Sequence, residues 1–518
     1  MRIDESDHRS NDCTSRMRLG FLRRLLVACL VAPPLAATDV FAEVTISSDA
    51  TSNMSCESGV CAPTATDAVL NVGDLENLLA SGNIEVTTTG SGVQADDIAV
   101  EAGLTWSNTS TLALDAYRSI TIEDPVSVTG QGGFSLATND GGKKGMLSFA
   151  DGGDVTFENL SSQLTINGNS YVLAGSVSGL AVAIAANPSG YFALANNYDA
   201  SGDGTYTRAP ITTEFRGTFE GLGNAISNLT IVSRSRNLGL FGTIKRAVLS
   251  DIGVVDVSIS GGEGNVGGLV GNDKAGTIEQ SYSSGAVTAR RYAYAGGLVG
   301  YLVGGGSISG SSSSANVAGG FVSGGLVGNA DGGRPEIAFS YATGNVAGDG
   351  DADVGGLIGQ NAASDGIVMQ SFATGNVTVK KGAAGGLIGN SLGKIVQTYA
   401  TGSVSGVWAG GLVGENQSIL SQSYSNGAVS GSQYEGGLIG NDHSQSGDIS
   451  HTYWDTTSSG VTNLSQGAGN IANDPGITGL STAQLQAGLP KGFRHAVWRE
   501  EANVNDGLPF LIANPPPS

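Results

Sequence analysis

Between residues 239 and 450 the apolar positions follow neither a helical period nor one long strand alternation. They return as words. A short apolar strand framed by glycines, GGL[VI]G, recurs with its second glycine at Gly268, Gly297, Gly325, Gly356, Gly386, Gly411 and Gly437. The steps are 29, 28, 31, 30, 25 and 26 residues, and a degenerate copy, LGLFG, places Gly239 another 29 residues upstream. Each block is followed 9 to 12 residues later by a second block of the type SYATGNV, and the joint between the two varies while the blocks keep their length. Self-similarity at periods of about 20–50 residues marks a solenoid, propeller or array. No helix-period stretch occurs inside a repeat, which removes helical solenoids. A four-stranded propeller blade needs ~40–45 residues, more than these repeats hold. The pattern therefore predicts an all-β chain, a right-handed parallel β-helix with one coil per repeat and small terminal caps.

Stacked coils give each repeated residue a task. Leu240, Leu269, Leu298, Leu326, Leu357, Leu387, Leu412 and Leu438 are expected to form an interior aliphatic ladder. Tyr282, Tyr341, Phe372, Tyr399 and Tyr424 are expected to form an aromatic one, broken at Ser312. Burying one Leu or Phe contributes about 1.5–3 kcal/mol, and in a solenoid the neighbouring coil supplies the burial. Asn272, Asn329, Asn390 and Asn441 are expected to stack as a polar ladder at a turn, with glycines at corners supplying positive φ and close packing.

The flanks read differently. Residues 1–42 have the layout of an export signal: basic residues to Arg24, the apolar run LLVACLVAPPLAA, then small residues before Glu43. Met17 is an alternative start. Residues 43–83 form an N-terminal cap with a short helix at Val72–Ala80, and residues 84–189 read as irregular β-helix coils. The glycine-framed β-helix repeats occupy 190–450. Residues 451–512 form a C-terminal cap whose Ser481 and Gln484 have capping-box spacing, and 513–518 are a frayed tail.

Composition narrows the partners. Glycine makes up 81 of 518 residues, about double the usual ~7% share, which suits many tight turns. The net charge is −21, and −22 once the leader is removed, so nucleic acid and anionic membranes are not expected partners. The apolar run of the leader is too short to span a bilayer, so the mature chain is expected to hold no transmembrane segment. Cys56 and Cys61 lie in a polar stretch; an oxidising compartment joins them in a disulfide, a reducing one leaves two free thiols.

The paired GGL[VI]G and SY[AS]TGxV blocks resemble the GLUG motif of bacterial surface proteins. The phrase FRGTFEGLGNAISNLTI (residues 215–231) resembles the usual entrance to such repeats, and Tyr453–Gln484 the usual exit. Residues 100–150 resemble the β-helical stretches of filamentous-haemagglutinin-type adhesins. The resemblance implies an exported, cell-surface or secreted protein, structural or adhesive, with an extracellular glycan or a host or matrix protein as partner. It supplies no ligand site.

Candidate chemistry is sparse, and no enzyme or cofactor is expected. Asp349, Asp351 and Asp353 alternate as calcium ligands do, but Val354 and Gln360 stand where a calcium loop has glycine and glutamate. A solvated acidic loop is the reading taken, with calcium as its alternative. Asp442, His443, Asp448, His451 and Asp455 lie close in sequence near the last repeat. The alternative function is a carbohydrate-active β-helix enzyme, a polysaccharide lyase or hydrolase, which needs carboxylates converging in one groove.

Overall fold

Each repeat closes into one coil, and the coils stack in register. A computed structural model describes residues 42–142 and 144–517. They form an all-β parallel solenoid of about 16 turns. The expected leader falls almost wholly outside the described residues. No helix among them is long and apolar enough to cross a membrane.

The glycine-framed blocks build one wall. Eight strands from Phe241–Lys245 to Ile439–Asp442 lie side by side in chain order, all parallel. Leu269 N donates to Leu298 O at 3.0 Å, and the same leucine-to-leucine bond continues through Leu326, Leu357, Leu387, Leu412 and Leu438. These leucines and Leu240 are fully buried in one continuous core. The glycines are needed for closeness. A β-carbon on Gly268 would stand 2.5 Å from the Gly297 carbonyl oxygen, and one on Gly356 would stand 2.0 Å from that of Gly386.

Positive φ lies elsewhere. One corner of the coil has a left-handed residue at Asp251, Gln280, Gly310, Phe339, Gln370, Gln397, Gln422 and His451, mostly not glycine. Repeat glycines outside the GGL[VI]G words, among them Gly261, Gly319 and Gly382, do supply positive φ at turns, as expected. The GGL[VI]G glycines keep ordinary φ, and their lack of a side chain lets backbones touch.

The asparagine expectation is corrected. Asn272, Asn329, Asn390 and Asn441 lie in a strand wall, not a turn. Tyr301, Gln360 and Glu415 alternate with them, which breaks any ladder. The continuous asparagine ladder runs through the TGNV words instead. Asn345 N donates to Asn316 Oδ1, Asn376 N to Asn345 Oδ1 and Ser403 N to Asn376 Oδ1, each at 3.0 Å. A second ladder is internal. Ser281, Ser311, Ser340 and Ser371 are buried, and each hydroxyl oxygen accepts the backbone N–H of the preceding coil's counterpart while donating to a carbonyl two residues back. A buried polar atom is stable only when so satisfied.

The N-terminal coils carry their own core, with the helix Val72–Leu79 capped by Asn71 and burying Leu75 and Leu79. A second helix, Val177–Ala186, lies where irregular coils were expected. Its sequence, VSGLAVAIAA, is apolar almost all round and so shows no amphipathic stripe. At the other end Trp454 plugs the core, its Nε1 donating to Val461 O, and Ala468 joins the same core. Residues after Ile477–Leu480 do not stay at the end. The helix Thr482–Leu485, started by the Ser481–Gln484 capping box, leads into a segment that runs back along the flank. Tyr424 OH donates to Pro509 O at 2.7 Å, and buried Asn514 donates to Ser340 O and Gln370 O. The last 35 or so residues are therefore a side cover, and Asn514 is anchored, not frayed.

One buried acid makes a prediction. Asp273 points into the core where the next coils carry Leu302 and Ala330, and it accepts from Gly276 N at 2.7 Å. Burial raises its pKa to about 7. The folded value stands above the unfolded carboxyl value of ~3.9, so the folded state holds the proton more tightly. The stability this contributes is present below the unfolded value and is lost as pH rises through about 7. Glu220, raised to about 7, and Asp353, raised to about 6, act in the same direction. Glu214, lowered to about 2 by Lys274 and Arg216, acts oppositely but is largely solvated. Thermal melts are expected to give a Tm several degrees higher at pH 5 than at pH 8, and Asp273→Asn should reduce that difference.

Candidate functional site

The aromatic positions form one outward column on the flank. Backbone pairing lines up Gly253, Tyr282, Ser312, Tyr341, Phe372, Tyr399, Tyr424 and Tyr453, one per coil. From Tyr341 onward the rings stack. Tyr341–Phe372 centroids are 4.9 Å apart at 5°, Phe372–Tyr399 4.7 Å at 6°, and Tyr399–Tyr424 5.4 Å at 8°. The C-terminal segment covers this part of the row with Leu485, Phe493, Trp498, Leu508 and Leu511. Tyr282 stands apart from the stack and is 42% exposed. A β-carbon on Gly253 would lie 2.5 Å from Tyr282 Cζ, so that ring leans over the glycine, away from Ser312.

Where the row is broken, the flank opens into a cleft of about 740 Å³. Its floor is Ser312, with Ser314 and Thr343 beside it. Tyr282 and Tyr341 form two walls, the loop Phe149–Asp154 a third, and Pro517 of the returning tail lies at its edge. Asp151, Asp154 and Asp251 make one end acidic, and among the described residues no Lys or Arg lines it. Burial raises the Asp154 carboxyl. Burial, then the neighbouring Glu220 and Glu279, holds Asp251 well above the carboxylate range. Glu220 is buried behind it and accepts from Ser250 Oγ at 2.7 Å and Leu222 N at 2.9 Å. Each acid's charge adds to burial in disfavouring ionisation of the Asp251 carboxyl. Burial, with the Asp151 charge adding to it, raises the Tyr282 phenol.

The other candidates are dispersed. Asp349 and Asp351 are exposed, whereas Asp353 is half-buried and accepts from Asn390 Nδ2 at 3.3 Å. Asp442 is buried, bonded by Asn416 and Ser444. His443 lies outside, 3.8 Å from Glu415. Asp448 accepts from Gln445 N, and buried Asp455 from Thr457 N and Thr482 Oγ1. His451 holds a left-handed corner against Gly492. Among the described residues no three His, Cys, Asp or Glu side chains are placed to hold a metal ion. Cys56 and Cys61 face each other in the hairpin of Met54–Glu57 and Val60–Pro63 and are disulfide-bonded.

The fold and the cleft define a parallel β-solenoid with an open, polar-aromatic flank. No family model matches the chain. A stretch of 158 residues, 27% of the chain, is 36% identical to a protein named Halomucin from Haloquadratum walsbyi. The chain spans about 2% of the length of that relative.

Proposed function

We propose that this chain is an exported surface or secreted protein of a bacterium, a structural and adhesive rod that attaches to an extracellular glycan or a host or matrix protein. The observation that carries the reading is the cleft, an exposed ring and a row of hydroxyls set on a stiff, self-stacked flank. The resemblance to GLUG repeats and haemagglutinin-type adhesins supports it, as does the strong negative charge. The purified full chain on glycan and matrix-protein arrays should bind a subset of them, and fractionated cells should hold it in the envelope or medium. Retention in the cytoplasm would overturn export; silence on every array would overturn attachment. A second reading, an enzyme acting on a polysaccharide, is favoured by one feature, the buried Asp251 carboxyl at the cleft, whose pKa burial raises. It predicts release of reducing sugar that Asp251→Asn abolishes.

A further inference from the structure

We infer that the break at Ser312 is a seat for one pyranose ring of an uncharged, hydroxyl-rich polysaccharide; this rests on the attachment reading and names the ligand class for it. The coils set a fixed pitch of ~4.8 Å, the spacing of hydrogen-bonded strands. Along the flank each coil from Tyr341 to Tyr424 contributes one ring, with centroids 4.7 to 5.4 Å apart. Between Tyr282 and Tyr453 the Ser312 coil contributes no ring, so the column lacks one ring's thickness there. Phe372 covers one face of Tyr341, and the other face looks across the Ser312 position into the cleft. A bare aromatic face takes the C–H face of a sugar as it takes another ring, by dispersion and its own quadrupole.

The rest of the lining fits hydroxyls. Ser312, Ser314, Thr343 and Gln280 offer donors and acceptors around the seat, and Asp151 adds acceptors. An anionic sugar or a nucleobase on its phosphate chain would meet an acidic wall with no Lys or Arg, among the described residues, to pair with. The cleft is elongated along the coils from Gly223 to Thr343, so a chain of sugars can cross it while one ring occupies the gap.

The test is isothermal titration of the full chain with a neutral glucan, a galactan and a mannan, beside polygalacturonate and chitosan. Binding to a neutral polymer is expected, weakened on the order of ten-fold or more by Tyr341→Ala and by Ser312→Tyr. Ser312→Tyr supplies the missing ring, so it should lose binding while its Tm stays level or rises, which separates a filled seat from a damaged fold. Tyr292→Ala, a change at an exposed tyrosine outside the cleft, should leave both quantities unchanged. Neutral-glycan binding that survives Ser312→Tyr would overturn the seat and leave the rod's attachment standing elsewhere. Preference for polygalacturonate or chitosan would overturn the uncharged ligand class. Silence toward every polysaccharide would overturn the seat, and if matrix proteins are silent too, the attachment reading falls with it.

Discussion

Replacing Gly386 with valine is expected to break the rod between two coils. A β-carbon there would lie 2.1 Å from the carbonyl oxygen of Gly411 and 2.9 Å from Cβ of Ala400. The first is backbone and cannot swing aside, so the coils must separate. Separation stretches the Leu387 N to Leu412 O bond, now 2.8 Å, and exposes two leucines that supply each other's burial. Each coil of a solenoid is stable only through its neighbours. A steric and packing failure of this kind sits in the tail of mutational effects, above ~4 kcal/mol. Circular dichroism should show the native β signal reduced or melting in separate steps, and limited proteolysis should cut between residues 386 and 411. Gly202→Ala is the control, since nothing lies within 4 Å of its added carbon and its φ is ordinary, so it should melt like the parent chain. A Gly386→Val protein that melts with the control would show that the coils tolerate a side chain at this contact.

The same stacking explains what the sequence reveals and what it hides. Parallel, in-register coils put one residue type at one place in every turn, so the period, the leucine ladder and the solenoid are legible as repetition. Which way a repeated residue faces is less so. In SYA the tyrosine points outward and the serine inward, because the buried serine hydroxyl is satisfied by the next coil's backbone. Hydrophobicity alone would have chosen the reverse, yet the serine or threonine before every aromatic was a visible signal, as was the asparagine in TGNV. The left-handed corner was hidden because Gln370, Gln397 and Gln422 occupy it instead of glycine. The cleft was hidden for a different reason. Asp151, Asp251, Ser312, Tyr341 and Pro517 are distant in sequence and meet only once the coils stack and the tail returns. The single clue was the break at Ser312, which reads as a flaw in a ladder until its surroundings are known.

Trp498→Ala is expected to release the returning tail while sparing the rod. Trp498 is fully buried, stacks on Phe493 at 4.4 Å and 24°, and leans on Tyr399 and Tyr424 at 6.2 and 6.0 Å. Truncating a buried Trp costs about 3–5 kcal/mol. The cost falls on one docked segment, because the leucine core of the coils is a separate cluster that the tail does not enter. Segments held by few contacts open as local units. Hydrogen exchange should therefore speed up over residues 481–517 and leave the strands of the leucine wall protected. Phe372, Tyr399 and Tyr424 would then be bare, so the variant should bind a hydrophobic dye and associate at concentrations where the parent stays monodisperse. The aromatic row explains why a cover is needed at all: rings stacked outside a solenoid are an apolar strip that water does not tolerate uncovered. At the Ser312 break the row stops being such a strip, and there Pro517 of the tail lines the cleft. If Trp498→Ala melts rod and tail together in one transition, the tail is an integral wall of the solenoid and not a separable cover.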